Sequence, residues 1–136
     1  MIVVSLKQMY PGHVKQAALI AAGTYKGATN VGRFVIIVDD DIDPTNMTEV
    51  LWALGTRCDP KSQIDILTNR LSQASDPRVS PEQRRAGDFT CTTALIDACK
   101  PWAWRDQFPK STKTSPEVME QMRKKWGDLL FGKDKA

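Results

Sequence analysis

Histidine is almost missing from this chain. His13 is the only one in 136 residues. It could act as a general base, since imidazole alone titrates unperturbed near neutrality. No Ser, Cys or metal-ligand cluster stands beside it in sequence, so a hydrogen-bonded histidine in a first helical turn is the expectation. Cysteine is scarce as well. Cys58, Cys91 and Cys99 form no CxxC pair and cannot all be bridged. They read as free, small core or half-buried thiols, which favours a reducing, cytoplasmic setting. No apolar run approaches the ~20 residues that span a bilayer. The charged and polar Lys7-Gln8 follows Met1-Ile2-Val3-Val4 too soon for a signal peptide. Internal repeats and low-complexity tracts are absent. So is a basic stripe interleaved with aromatics, which argues against nucleic acid as a partner.

The charge that is present is unevenly placed. Residues 1–109 carry twelve Lys/Arg and twelve Asp/Glu, while residues 110–136 carry seven and four. The net charge of +3 therefore belongs to the C-terminal segment, where Arg123-Lys124-Lys125 reads as a solvated helix face. At this length one domain with a sizeable core is expected.

The chain is organised around Phe34 to Arg57. Phe34-Val35-Ile36-Ile37-Val38 is an apolar, β-rich run of the kind buried on both faces. Asp39-Asp40-Asp41-Ile42-Asp43-Pro44 follows, and Pro44 ends any pairing. Asn46 and Glu49 suggest a capping box, and Met47, Val50, Leu51 and Leu54 recur at helical spacing. Ligands in α/β sheets tend to lie near such strand–turn–helix units. Upstream, Ile2 to Leu6 reads as a strand, Pro11-Gly12 as a turn, His13 to Ala22 as a helix and Gly23 as its C-cap. A strand directly after the first Met fits a piece of a longer protein. Downstream, Ile64 to Thr68 and Phe89 to Ile96 read as strands. Ser72 to Asp88, with Pro77, Pro81 and Gly87, reads as a long loop. Pro101 to Trp104 is an irregular aromatic patch. Ser115-Pro116-Glu117 opens a helix whose Met119, Met122, Trp126 and Leu129 form a narrow seam suited to a partner. The fold expected is α/β: a small, mainly parallel or mixed sheet flanked by helices over residues 1–114, with an extended C-terminal helix and tail over 115–136.

Four aspartates in one turn raise the question of a divalent metal, but the known templates fail. An EF-hand beginning at Asp39 needs Gly where Pro44 stands and Glu where Val50 stands. A phosphatase DxDx[TV] needs Thr or Val where Asp43 stands. A glycosyltransferase DxD belongs to longer chains. Helix capping and dipole compensation account for the carboxylates instead, and no metal is expected there. Asp97, at a strand end, reads as a cap. Lys26, Gly27 and Gly32 could cradle a phosphate but match no P-loop spacing. Composition and spacing thus supply no self-sufficient catalytic constellation.

Four stretches together are similar to a known family. They are Val4 to Gln8 with Tyr10 to Gln16, Phe34 to Pro44, Val50 to Pro60, and Ile96-Asp97-Ala98 with Pro101. In this order they resemble the C-terminal domain of the UbiD-type decarboxylases. The Asp40-Asp41-Ile42-Asp43 and Trp52-Ala53-Leu54-Gly55-Thr56-Arg57 blocks are the most specific parts, and the likeness covers nearly the whole chain. The resemblance implies part of a carboxy-lyase that acts reversibly on aromatic or unsaturated acids with prenylated FMN, a divalent metal and potassium. The family's catalytic Arg and Glu belong to a preceding β-barrel domain with no counterpart here. This chain would then have no catalytic residue, bind no cofactor alone, and act as lid and assembly domain. Lys26 falls near a family lysine that approaches the cofactor phosphate. Asn30 and Val31, before the central strand, and Leu71 and Gln73, after the third, would face the substrate pocket. Met119, Met122, Trp126 and Leu129 would form a homodimer interface. The flavin-binding domain or subunit is the other expected partner. The alternative is a stand-alone, non-catalytic binding or assembly module with the same fold.

Overall fold

The computed structural model describes residues 1–24, 32–110 and 114–131. Along the chain it contains β1 (Ile2–Leu6), α1 (His13–Thr24), β2 (Phe34–Asp39), α2 (Met47–Arg57), β3 (Ile64–Leu71), α3 (Pro81–Ala86), β4 (Thr90–Ala98), a 3-10 turn (Trp102–Gln107) and α4 (Pro116–Phe131). The sheet order is β1-β2-β4-β3. β1, β2 and β4 are parallel, and β3 pairs antiparallel with β4. The expected mixed α/β sheet is therefore present.

β2 sets the layers. Successive strand side chains point to opposite faces, so its apolar run feeds two cores. Val35 and Ile37 meet Val14, Ala18 and Ala22 of α1, with Leu95 of the neighbouring strand β4 and Cys99 just after it. Ile36 and Val38 meet Val50 and Ala53 of α2, with Ile42 and Ala98. Pairing in register, with Val35 opposite Leu95 and Val38 opposite Ala98, keeps both layers continuous.

Several local expectations need correction. α2 buries Val50, Ala53 and Arg57, while Met47 and Leu51 are exposed. The helix is rotated so that Arg57 reaches the aspartates at the end of β2. Asn46 caps α2 through Thr48 N and Glu49 N, but the Glu49 carboxylate accepts from Asp43 N instead of returning to Asn46. Asn46 N is already donated to the Asp43 carbonyl, so the box closes one turn earlier. α1 runs through Gly23 to Thr24. The stretch read as a long loop contains α3, with a full Ser80/Gln83 capping box, Pro81 in its first turn and Gly87 at φ 70° as its left-handed C-cap.

β3 continues past Thr68 to Leu71 through an irregularity between Leu67 and Arg70, where Asn69 takes φ 55°. A bulge of this kind blunts a sheet edge. α4 begins as expected, with Ser115 Oγ accepting from Val118 N at 3.3 Å. Among the described residues no element packs along it, and no helix is long and apolar enough to cross a membrane.

The double-faced burial of β2 has a measurable consequence. Ile37→Ala is expected to cost about 2–5 kcal/mol in urea unfolding, the range for deleting a fully buried aliphatic side chain. A loss below about 1 kcal/mol would place β2 outside the core.

Candidate functional site

The C-terminal end of the parallel strands is filled by charge. Asp39 is buried at the end of β2. Its carboxylate accepts from Gln8 Nε2 at 2.8 Å, Lys100 N at 2.7 Å and Arg57 Nη1 at 2.9 Å. It thereby joins the chain leaving β1, the chain leaving β4 and the last turn of α2. Asp41 binds both Nη atoms of Arg57, at 2.8 and 2.9 Å, and Lys100 Nζ at 2.8 Å. The Arg57 side chain is only 1% exposed and lies between the rings of Trp52 and Phe108. Its Nε has no hydrogen-bond partner among the described residues. Bidentate bonding from Arg57 holds the Asp41 carboxyl well below the usual carboxylate range, against the partial burial that raises it. Burial disfavours the Arg57 cation, but the two aspartates outweigh it and raise its pKa.

The acidic turn thus does more than cap a helix. Asp43 does the local work, accepting from Thr45 N and Oγ1. Asp39 and Asp41 form a long-range ionic plug that capping alone did not anticipate. Asp97 caps the turn after β4 by accepting from Cys99 N at 2.9 Å, and its burial raises its pKa. His13 sits in the first turn of α1, stacked on Tyr10, with Nδ1 accepting from Met9 N.

At the opposite end of the sheet the described residues form a second polar cluster. Here Arg33, entering β2, meets the segment between β3 and β4. Asp76, 1% exposed, accepts from Arg33 Nη2 at 2.7 Å, Ser72 Oγ at 2.6 Å and Arg78 N at 2.9 Å. Arg84 Nη2 donates to its carbonyl. The Ser72 hydrogen bond leads in lowering the Asp76 pKa, with Arg78 N and Arg33 adding to it against desolvation. Beside this hub lies a polar cavity of about 230 Å³, lined by Arg33, Asp76, Arg78, Gln83, Thr90 and Thr92 among others.

Lys26, Asn30 and Val31 lie outside the described residues. Leu71 is strongly exposed at the end of β3, and Gln73 is half-buried with Nε2 donating to Ser75 Oγ. Arg33 and Asp76 thus bring the two stretches that flank these positions to one end of the sheet. Met119, Met122, Trp126 and Leu129 are all exposed on α4. Sequence reasoning missed Arg33, Asp76 and Arg78, although Asp76-Pro77-Arg78 is a turn signal in which Asp accepts from the backbone two residues on. It also missed the ionic role of Arg57, which stands seven residues after the buried Val50 and so on the same helix face.

Removing Arg57 would leave Asp39 buried and unpaired, so Arg57→Met is expected to cost about 3–5 kcal/mol in chemical denaturation. A change under about 1 kcal/mol would show the plug to be dispensable. The acid side carries a second signature. The lowered Asp41 and Asp76 pKa values add stability that is present above about pH 4, the ordinary carboxylate value, and lost as pH falls through their folded-state values. Asp97, with its raised pKa, has the opposite sign and gains stability as it protonates. Thermal melts should therefore fall off below about pH 4, and Asp41→Asn should flatten part of that fall. An Asp41→Asn profile identical to the native one would sink the assignment.

Comparisons with known proteins place this architecture. The family model of the 3-octaprenyl-4-hydroxybenzoate carboxy-lyase C-terminal domain matches residues 1–98. A phenolic acid decarboxylase from a Streptomyces species is 31% identical over 122 residues, covering 88% of this chain and 24% of the relative. Among solved structures, the 3,4-dihydroxybenzoic acid decarboxylase from Enterobacter cloacae superposes with a TM-score of 0.67 at 26% identity, over 96% of this chain and 26% of that one. The UbiD-class enzyme HmfF from Pelotomaculum thermopropionicum, solved in complex with FMN, gives a TM-score of 0.68 at 22% identity, over 88% of this chain and 24% of that one, a likeness of fold. The chain spans about a quarter of the length of the curated relatives it matches. With a family model covering most of its length, this chain belongs to the UbiD carboxy-lyase C-terminal domain family.

Proposed function

We propose that this chain is the C-terminal part of a UbiD-type carboxy-lyase that adds or removes carbon dioxide on aromatic or unsaturated acids with prenylated FMN. In this reading it covers the flavin and substrate site and mediates dimerisation, and the flavin-binding barrel is a preceding domain or a separate subunit. The observation that carries the reading is the Arg33–Asp76 ion pair. It joins the chain entering β2 to the segment after β3 beside a polar cavity, which supports a pocket at this end of the sheet. Asn30 and Val31 precede Arg33, and Leu71 and Gln73 precede Asp76. Lys26 belongs to the same loop and would approach the cofactor phosphate.

The described residues do not fit a metal centre. No three His, Cys, Asp or Glu side chains among them converge, and Asp39 and Asp41 already face Arg57 and Lys100. The flavin, the divalent metal and potassium are therefore assigned to the rest of the enzyme. This chain's contribution is positional. It excludes water from a reacting acid and shapes the acyl pocket through a rigid end of a buried sheet.

Incubated alone with prenylated FMN and a panel of cinnamic, benzoic and heteroaromatic acids, the chain is expected to release no carbon dioxide. Co-expression with a flavin-binding UbiD barrel should restore turnover. Turnover by the chain alone would overturn the assignment of chemistry to the barrel. Failure of every barrel pairing to bind the chain would favour the stand-alone module.

α4 supplies the dimer part of the proposal. Its Met119, Met122 and Trp126 are 54%, 53% and 43% exposed, and Leu129 is 75% exposed. A helix of this length is marginal in water without burial of its apolar face. Covering these side chains would contribute about 1.5–3 kcal/mol each, which favours a second copy as cover. Light scattering should show a dimer for the native chain, and a monomer for Trp126→Ala or for truncation after Lys113. A native chain that stays monomeric at high micromolar concentration would rule this interface out.

A further inference from the structure

We infer that the cavity between Arg33 and Arg78 is a binding site for a small oxyanion, a carboxylate or phosphate group. Its charge balance is the first reason. Asp76 is the single acidic residue in the lining, and its carboxylate is already committed to Arg33, Ser72 and Arg78 N. The carboxylates nearby are also engaged: Asp88 accepts from Thr90 N, and Glu82 pairs with Arg85. The Arg78 guanidinium, by contrast, forms no ion pair among the described residues, although only its backbone N–H is needed to hold Asp76. One cationic group is left over in the lining of the cavity.

The second reason is geometry. Arg33 is fixed by the buried Asp76 through one Nη, while its side chain remains 29% exposed and lines the cavity. A guanidinium held in this way is preorganised for an oxyanion, because its parallel N–H groups match two oxygens at once. Thr92 belongs to the same lining and adds a hydroxyl donor, while the Thr90 hydroxyl already bonds Asp88. At about 230 Å³ the space admits a carboxylate with an attached ring, or a phosphate. The hub beneath is rigid, since α3 is capped at both ends and Arg84 ties it back to the Asp76 carbonyl.

This site rests on the carboxy-lyase reading only for which anion it meets in the enzyme. Binding itself is a property of this chain. Amide spectra of the ¹⁵N-labelled full chain would be titrated at constant ionic strength with sodium benzoate and with inorganic phosphate, and chloride would serve as the control. Saturating shifts are expected at Thr90 to Thr92 and at Arg33. They should weaken about tenfold or more in Arg78→Gln, as for a lost charge-assisted hydrogen bond, and stay unchanged in Arg123→Gln on α4. Arg78 is exposed, so its replacement should leave the fold intact, which the unshifted remainder of the spectrum would verify. Tighter benzoate binding would identify the acid's carboxylate as the ligand, and tighter phosphate binding a phosphoryl group. No saturable shift beyond chloride from either anion, or shifts that persist undiminished in Arg78→Gln, would overturn the inference. Neither result depends on turnover, so the site and the carboxy-lyase reading can fail separately.

Discussion

A cation with no access to water fixes one end of this molecule. Arg57 is buried between Trp52 and Phe108 and faces Asp39 and Asp41. A buried charge is tolerated only when it is paired and hydrogen-bonded, so its surroundings cannot vary independently. Asp39 must end β2 at the depth where Arg57 arrives. α2 must present Val50, Ala53 and Arg57 on one face. Lys100 and Gln8 must bring the ends of β4 and β1 to the same carboxylate. One ionic cluster therefore registers three parallel strands and a helix at a single point.

That arrangement reverses the usual geography of an α/β sheet. Ligands normally settle outside the carboxyl ends of parallel strands. Here that end is occupied by the plug and closed over by the aromatic side chains of α2 and the turn after β4. The polar cavity beside Arg33 and Asp76 lies at the opposite end. β3 makes this possible, because as an antiparallel edge strand it delivers its own C-terminus to the end where β2 and β4 begin. Asp76 then serves there as Asp39 serves at the other end. It is a buried carboxylate that gathers donors from separate segments, but with arginine left over at the surface.

How much of this was readable from the chain follows from the range of the forces involved. β2, the caps at Asn46 and Ser115, and the first turn at His13 are set by neighbours within a few residues, and all were legible. The rotation of α2 was not. Leu51 is a better apolar residue than Ala53, yet Leu51 is exposed and Ala53 is buried, because the ionic demand on Arg57 overrides the hydrophobic stripe. α3 carried a complete local signature in Ser80-Pro81-Glu82-Gln83. It was obscured by a polar composition that matches a loop when counted over the whole stretch. Arg33 and Asp76 are 43 positions apart, and no periodicity connects residues at that separation. Their meeting depends on the sheet order, which only tertiary packing decides.

α4 shows the same logic from the other side. Its start is locally specified by Ser115 and Pro116, and its polar face is well solvated. Its seam is unexplained by anything the described chain provides, since the sheet's two cores are complete without it. A helix whose propensity and capping are sound but whose apolar stripe is uncovered gains stability from any contact that covers that stripe. The Arg78 guanidinium is likewise not consumed by an ion pair among the described residues. Both features are surface that the described residues leave uncovered. The plug, by contrast, makes the fold rigid enough to present them.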